Sequence, residues 1–398
     1  MLGFRQLVFK PEDFKEFGDL RALPILTKAI IRDNFEALQA RNKQDFAPRR
    51  NQTSGSTGQP LVFFWDRDAH SCGWPNAWRA FAVAGFQLGD PLLILSGGAL
   101  MPKVTPLRQR IYYQLMGITQ LRAYHLSEEE MAGYLTYLQG TPGHPKYLYG
   151  YASAAYLFAR YLISRGASVQ FKAVFTTAEV LPLQQRGVIE RGFGCRVFDT
   201  YGNNESCLAA FECEQHTGLH YAMENAFLEV VDERGEPVGE GETGRLIGTN
   251  LENYAMPFIR YDSGDLGRLT REPCACGRGL LRIGNIMGRA RDFIYTPDGR
   301  EIHGAFFNHF EPFYRTPWIA GWHVLQDRID HLVVTIRPDG EPVEADVERM
   351  LELMHAGLGE DMRIDVVYDS KLHTTPAGKQ KVIECLIEKP GAGAGKRD

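Results

Sequence analysis

KYLYGYASAAYLFARYLISRGASVQFKAVFTTAEVLPLQQRGVIERGFGCRVFDTYG, residues 146–202, reads as three strands separated by two helices. Lys146–Tyr149, Phe171–Thr176 and Val197–Tyr201 are short apolar runs rich in aromatic and β-branched residues, as strands covered on both faces require. Ala152–Arg165 and Pro182–Gly192 carry apolar residues at helical spacing between them. Strand and helix in alternation imply crossover connections and a largely parallel sheet.

The pattern extends upstream through a strand at Pro91–Gly97 and helices at Pro106–Gly117 and Ser127–Gln139. Downstream of Ala226 the helices stop. Ala226–Val231, Gly244–Gly248 and Met256–Tyr261 read as strands of a β-rich subdomain, with turns at Asp232–Gly235 and Gly239–Gly244. A second unit starts near Arg289. It has strands at Asp292–Thr296, Trp322–Gln326, His331–Ile336, Arg363–Tyr368 and Lys381–Glu388, and helices from Ala305 and over Val343–His355. The expected architecture is α/β: a large N-terminal domain over 1–288 with parallel-rich sheets and a β-rich subdomain, then a small mobile α+β domain over 289–398. There is no internal repeat.

The 398 residues are 44% hydrophobic and 23% charged, ordinary for a globular chain that buries a real core. A net charge of -5 argues against a dedicated nucleic-acid binder, which needs a basic face. The longest apolar runs, such as Pro91–Leu95, are of strand length, far short of the roughly 20 residues of a spanning helix. The charged N-terminus lacks the pattern of a signal peptide. A cytoplasmic protein without membrane partners is the expectation. Seven cysteines in a chain of this length do not suggest a disulfide framework.

Thr53-Ser54-Gly55-Ser56-Thr57-Gly58-Gln59-Pro60 packs hydroxyls and glycines into one short loop before the apolar run Leu61–Phe64. Glycines let backbone N–H groups point into one concavity, and such a nest suits a polyphosphate. No Lys-Ser or Lys-Thr pair follows the last glycine, so it is not a Walker loop. Tyr201-Gly202-Asn203-Asn204-Glu205 sits just beyond an expected strand, where open α/β sheets bind ligands. There a ring can cover a base and a carboxylate can hold Mg²⁺ against phosphate. Arg260-Tyr261-Asp262-Ser263-Gly264-Asp265 reads as a strand end entering a turn, with Asp a natural partner for ribose hydroxyls. Gly288-Arg289-Ala290-Arg291-Asp292 lies at the expected domain boundary. Lys379 lies on a Pro/Gly loop of the second unit.

Together with LPILTK at 23–28, TTAEVL at 176–181, CACGR at 274–278 and PAGKQK at 376–381, these segments resemble the adenylate-forming superfamily. The likeness is to its phenylacetate–CoA ligase branch, and within it to CapK-like and coenzyme F390 synthetase-like chains. It runs from about Leu23 to Glu388. The resemblance implies an ATP-dependent, AMP-forming ligase that adenylates a carboxylic acid and passes the acyl group to CoA. By that likeness Thr53, Ser54, Gly55, Ser56, Thr57 and Gly58 hold the β- and γ-phosphates. Ala178 and Glu179 line the adenine pocket, Tyr201 stacks on adenine, and Gly202, Asn203 and Asn204 belong to the same motif. Glu205 reaches Mg²⁺, Asp265 takes the ribose hydroxyls, and Arg289 lies near the ribose and α-phosphate. Lys379 bridges the incoming carboxylate and the α-phosphate. The segment 288–292 marks a hinge about which the small domain turns between two half-reactions. Asn204, Asp262 and Arg291 depart from the family's usual residues. Asp262 replaces an arginine and is expected to add negative charge near the nucleotide.

Cys213, His220, Cys274 and Cys276 form a Cys₃His set that fits a closed tetrahedral zinc site. Several members of the branch carry such a structural zinc. His216 is a rival for His220, and Cys207 a spare ligand. By analogy with the branch the acid lies near Tyr147–Tyr156, with Tyr149, Tyr151 and Ala152 at its wall. Aromatic rings there favour an aryl or aryl-alkyl acid. Trp74, Trp78 and Phe81 share one helix face and read as core. The expected partners are a small carboxylic acid and an acyl acceptor, and a homodimer is compatible with the sequence. Two other readings stand beside the acid–CoA ligase. One is the same adenylation with an amine or hydroxyl acceptor. The other is a non-catalytic nucleotide-binding protein, against which Glu205 and Lys379 argue.

Overall fold

The computed structural model describes residues 11–53, 61–96, 107–123, 126–141, 145–203, 205, 208–289, 293–303, 305–308, 310–372 and 382–387. No helix among them is long and apolar enough to cross a membrane. Ser54–Gly58, Asn204, Cys207, Arg291 and Lys379 lie outside the described residues.

α1 (Lys28–Asp33) starts at Thr27, whose hydroxyl accepts from the Ile30 N–H at 3.3 Å and caps the first turn. An antiparallel hairpin follows, β1 (Arg49–Gln52) with β2 (Val62–Trp65). After α2 (Arg67–Ser71) and α3 (Gly73–Ala82) comes the alternating segment: β3 (Leu92–Ser96), α4 (Leu107–Leu115), β4 (Ile118–Arg122), α5 (Glu128–Gly140), β5 (Tyr147–Tyr151), α6 (Ala152–Ser164), β6 (Ala173–Thr177), α7 (Leu183–Phe193) and β7 (Arg196–Asn203). α5 opens on a reciprocal Ser127/Glu130 capping box. α7 closes on Gly194 in the left-handed region. The antiparallel part comprises β8 (Leu208–Glu212), β9 (Leu219–Tyr221), β10 (Ala226–Val231), β11 (Thr243–Asn250), β12 (Tyr261–Thr270) and β13 (Arg282–Arg289).

These strands form one eleven-stranded sheet in the order β10-β11-β12-β13-β9-β8-β7-β6-β5-β3-β4. Its β4-β3-β5-β6-β7 half is parallel. β7 is the seam. Arg196–Asp199 pair parallel with β6, and Thr200–Asn203 pair antiparallel with β8. Alternation along the parallel strands separates two cores. Leu93, Leu95, Leu148, Val174 and Val197 face α5, α6 and α7. Leu92, Ile94, Tyr147, Phe175 and Phe198 face α3, where Phe81 is fully buried and Trp74 and Trp78 pack on the same cluster.

The expected strand at Met256–Tyr261 does not form. Residues 251–260 are a loop, and Tyr261 begins a longer strand that runs on to Thr270. Side chains hold that loop: the Asn253 amide donates to the carbonyls of Phe64 and Met256, both at 2.9 Å. Arg260 at its end takes a positive φ of 49°. RYDSGD is therefore the start of a central strand, with Gly264 at φ 78°, rather than a strand end.

The remaining elements form a separate small sheet and its cover: β14 (Phe293–Tyr295), β15 (Glu301–His303), α8 (Ala305–Asn308), α9 (Pro312–Arg315), β16 (Ile319–Arg328), β17 (His331–Pro338), α10 (Glu344–Leu358), β18 (Arg363–Tyr368) and β19 (Ile383–Cys385). The four-stranded order is β18-β17-β16-β19. Its own core joins Phe307, Phe313, Trp322, Val324, Val334, Met350 and Met354.

Candidate active site

The carboxyl ends of the parallel strands carry the candidate residues, as the switch from parallel to antiparallel pairing at β7 leads one to expect. Tyr201 and Asp265 meet there: the phenol of Tyr201 donates to the Asp265 carboxylate at 2.8 Å. Asp265 and Arg289 are register partners across β12 and β13. Glu205 is 8% exposed, too buried for a carboxylate to stand alone, and the Tyr261 hydroxyl lies 3.3 Å from its Oε1. The Asn250 amide holds the Glu205 backbone carbonyl at 3.3 Å.

Tyr261 had no expected role. Between it and Asp265 the strand is irregular, since the Gly264 N–H donates to Asp262 Oδ1 at 2.9 Å and the Asp265 N–H to the Ser263 hydroxyl at 3.1 Å, with a register shift against β11. Asp262 pairs with Arg245 at 2.8 Å. Its charge is neutralised across the β11–β12 ladder, so it does not add the free negative charge near the nucleotide that the sequence suggested.

Thr53 closes the mouth of the β1–β2 hairpin. Its hydroxyl accepts from the Leu61 N–H at 2.9 Å and its own N–H donates to the Leu61 carbonyl at 2.9 Å. The hairpin stem packs Leu61 and Phe63 against Phe258 and Tyr261, with the Phe63 and Phe258 rings 5.6 Å apart edge to face. The β1–β2 stem is thus packed on the same cluster as Tyr261, the residue that holds Glu205.

Ala178 has φ 69°, and Glu179 beside it accepts from the Ser153 N–H at 2.8 Å at the start of α6. That bond ties the turn after β6 to the turn after β5. Tyr149 sits 5.1 Å from the Phe81 ring, and burial pushes its phenol above the usual tyrosine range against a hydrogen bond with Thr177. Tyr151 and Ala152 are fully buried. Gly150 is required between Tyr149 and Tyr151, because a Cβ there would lie 2.1 Å from the Leu95 carbonyl oxygen.

A second constellation lies beside β7. The ligand atoms of Cys213, His220, Cys274 and Cys276 all fall within 4.8 Å of one another. The Cys213 and Cys274 sulfurs are 3.7 Å apart, and Cys276 Sγ is 3.3 Å from His220 Nε2. His220 Nδ1 lies 3.1 Å from the Leu280 carbonyl, which leaves Nε2 as the nitrogen that faces the thiols. Gly277, at φ 76°, turns the Cys-X-Cys loop back so that its N–H meets the Cys274 carbonyl at 3.0 Å. Burial opposes ionisation of Cys274, yet the Cys276 N–H and the Thr217 hydroxyl bring it down to about 6. The donors, their number and their closeness fit a tetrahedral Cys₃His ion. His216 goes elsewhere. Its Nδ1 is 3.0 Å from Glu212, which also receives both Nη2 contacts of Arg186 at 2.7 and 2.9 Å.

No protein-family profile matches the chain. A phenylacetate-coenzyme A ligase of Thermus thermophilus is 27% identical over 91% of this chain and 80% of its own length. Protein CapK of Staphylococcus aureus is 24% identical over 92% and 80%. The chain is a homologue of the phenylacetate–CoA ligases and of CapK. The fold is that of the adenylate-forming acyl-CoA ligases. It matches 2-hydroxyisobutyryl-CoA ligase in the postadenylation state with R3-HIB-AMP at a TM-score of 0.74, covering 96% of this chain and 83% of that one at 19% identity. The same ligase with 2-HIB-AMP and CoA in the thioesterification state matches at 0.59, covering 96% and 84% at 20% identity.

Proposed function

We propose that the chain is an AMP-forming acid–CoA ligase that works through an acyl-adenylate, with Tyr201, Glu205, Asp265 and Lys379 as its working groups. The observation that carries the reading is the Tyr201–Asp265 bond beside a buried, Tyr261-held Glu205 at the carboxyl ends of the parallel strands. The relatives' names supply the acid–CoA chemistry, and the site supplies residues suited to it.

Ala178 and Glu179 border the adenine, Tyr201 covers it, and Asp265 accepts from the ribose hydroxyls. Gly202, Asn203 and Asn204 form the backbone beneath, and Thr53 with Ser54–Gly58 cradles the outer phosphates. Glu205 is the carboxylate to hold Mg²⁺, which would offset phosphate charge. A carboxylate oxygen of the acid attacks the α-phosphorus, the α–β anhydride bond breaks, and pyrophosphate leaves. Arg289 and Lys379 neutralise the charge that builds on the α-phosphate. In the second half-reaction the CoA thiol gives up its proton as its sulfur attacks the acyl carbon, and AMP departs. The acid is aryl or aryl-alkyl on the reading that Tyr149, Tyr151 and Ala152 of β5 and the start of α6 form its wall. Cys213, His220, Cys274 and Cys276 would hold a structural zinc with no open position for chemistry. The second reading is the same adenylation with an amine or hydroxyl acceptor.

ATP–pyrophosphate exchange across a panel of aryl and alkyl acids tests the first step. Exchange with an aryl acid and a fall of ~10²–10³-fold in Lys379→Ala are expected. No exchange with any acid, or an unaffected variant, sinks the reading. AMP release that requires CoA separates the thioester route from release that requires an amine.

A further inference from the structure

Arg160 lies on the face of α6 that meets the small unit. Its Nη1 donates to the Ile319 carbonyl. Nη2 donates to the Pro317 carbonyl at 2.7 Å and to the Asp339 carboxylate at 2.8 Å. All three acceptors come from the adjoining ends of β16 and β17. Ile319 is the register partner of Pro338, and the Asp339 N–H donates to the Trp318 carbonyl at 2.6 Å. Trp318, between the two gripped carbonyls, is buried and its indole donates to Asp346 at 2.9 Å. The Arg160 side chain is only 16% exposed, although Asp339 is about half exposed at 48%. α9 also lies against α7 at this junction.

The acceptors are unusual for a surface ion pair. Two are backbone carbonyls, which cannot follow a swinging side chain. A planar guanidinium that satisfies both carbonyls and a carboxylate does so in one relative placement of the two units. Any rotation of the small unit away from α6 must break all three bonds together. A second cation, Arg337, is close enough to feel the charges of both Arg160 and Asp339. Burial and the nearby Arg160 charge hold Arg337 below the usual arginine range, with Asp339 opposing.

We propose that Arg160 is a latch that holds the small unit in the arrangement used for adenylation and must release before acyl transfer. The proposal rests on the ligase reading, since only a two-step enzyme needs two arrangements. The higher likeness to the postadenylation state than to the thioesterification state of one ligase supports the direction of the latch. The placement couples it to substrate. α6 begins at Ala152, directly after the Tyr149–Tyr151 strand, and Ser153 in its first turn contacts Glu179. Arg160 is eight residues on, about 12 Å along the same helix.

The test compares the parent with Arg160→Ala, Arg160→Lys and Asp339→Asn. Small-angle scattering without nucleotide should show a larger radius of gyration for Arg160→Ala at an unchanged melting temperature. Arg160→Lys, which keeps charge but not the planar donor pair, should fall between. Asp339→Asn leaves two guanidiniums facing each other and should also expand. With ATP, Mg²⁺ and phenylacetate, pyrophosphate exchange by Arg160→Ala should fall about tenfold, the loss expected when the competent population drops by that factor. Thioester formation from phenylacetyl-adenylate and CoA should hold or rise. Identical scattering curves, or equal losses in both half-reactions, overturn the latch. Absence of exchange in the parent with every acid of the panel would count against the ligase reading alone, because the scattering comparison needs no substrate.

Discussion

At the scale of single residues, the buried polar groups around β7 set a pH dependence. Asp199, two residues before Tyr201, accepts from the Thr176 hydroxyl at 2.7 Å. Burial nevertheless pushes its carboxyl up to about 7, and the Glu212 charge adds to the effect. The folded group titrates above the free one, so the unfolded chain loses this proton first. Stability from Asp199 is complete below about pH 4 and is lost as pH rises through about 7. Asp199→Asn keeps an acceptor for Thr176 and removes the charge. Its stability should gain on the parent as pH rises from 4 to 8, by an amount bounded at about 4 kcal/mol and read from melting temperatures across that range. A gap that stays constant over that range contradicts this account. Sequence shows Asp199 as one polar residue on an apolar strand and cannot show its cost. The same limit explains Asp262, whose neutralisation depends on Arg245 across a ladder, and the choice of His220 over His216. His220 faces the thiols because β9 pairs it with Arg282 next to the Cys-X-Cys loop. Spacing alone named His220 but kept His216 as a rival.

At the scale of elements, the alternating segment was legible, β4 excepted, because its other strands and its helices are self-announcing. Apolar runs of strand length and helices ended by glycine carry their own signals. The antiparallel half was less so. β9 has three residues and shows no clear apolar run. In the parallel half β4, with Thr119, Gln120 and Arg122, is hidden for the same reason. One close approach between elements is invisible in sequence yet testable. Gly192 on α7 meets Ala159 on α6, where a Cβ would lie 2.6 Å from the Ala159 Cβ and 2.8 Å from its carbonyl oxygen. Gly192→Ala should therefore push α6 and α7 apart and cost roughly 1–3 kcal/mol. Gly187 on the same helix meets only the Arg191 Nη1 at 3.5 Å. Gly187→Ala should be neutral or stabilising by up to ~1 kcal/mol, since alanine suits a helix interior better. Denaturant midpoints decide the matter, and equal effects at both positions would rule out the packing explanation.

At the scale of the whole molecule, the two sheets have separate cores, and the zinc candidate belongs to one of them alone. Cys213 and His220 leave β8 and β9, and Cys274 and Cys276 lie between β12 and β13, all in the eleven-stranded sheet. The small unit is held by its own cluster around Trp322, Val334 and Met350, and it meets the larger unit through polar contacts such as those of Arg160. Two units with separate cores and a polar junction unfold with limited coupling, so calorimetry should resolve two transitions. Ion binding that requires the folded site stabilises only the unit that contains it. A strong chelator should then lower the transition of the larger unit by about 5–10 °C, the shift that a few kcal/mol produce in a unit of this size. The transition of the small unit should not move. Cys274→Ser should reproduce the chelator's effect and lose bound metal on elemental analysis. A chelator that shifts both transitions equally would mean that the sheets melt as one body. One that shifts neither, with equal metal in parent and variant, would leave the four ligands as buried thiols and a histidine without an ion.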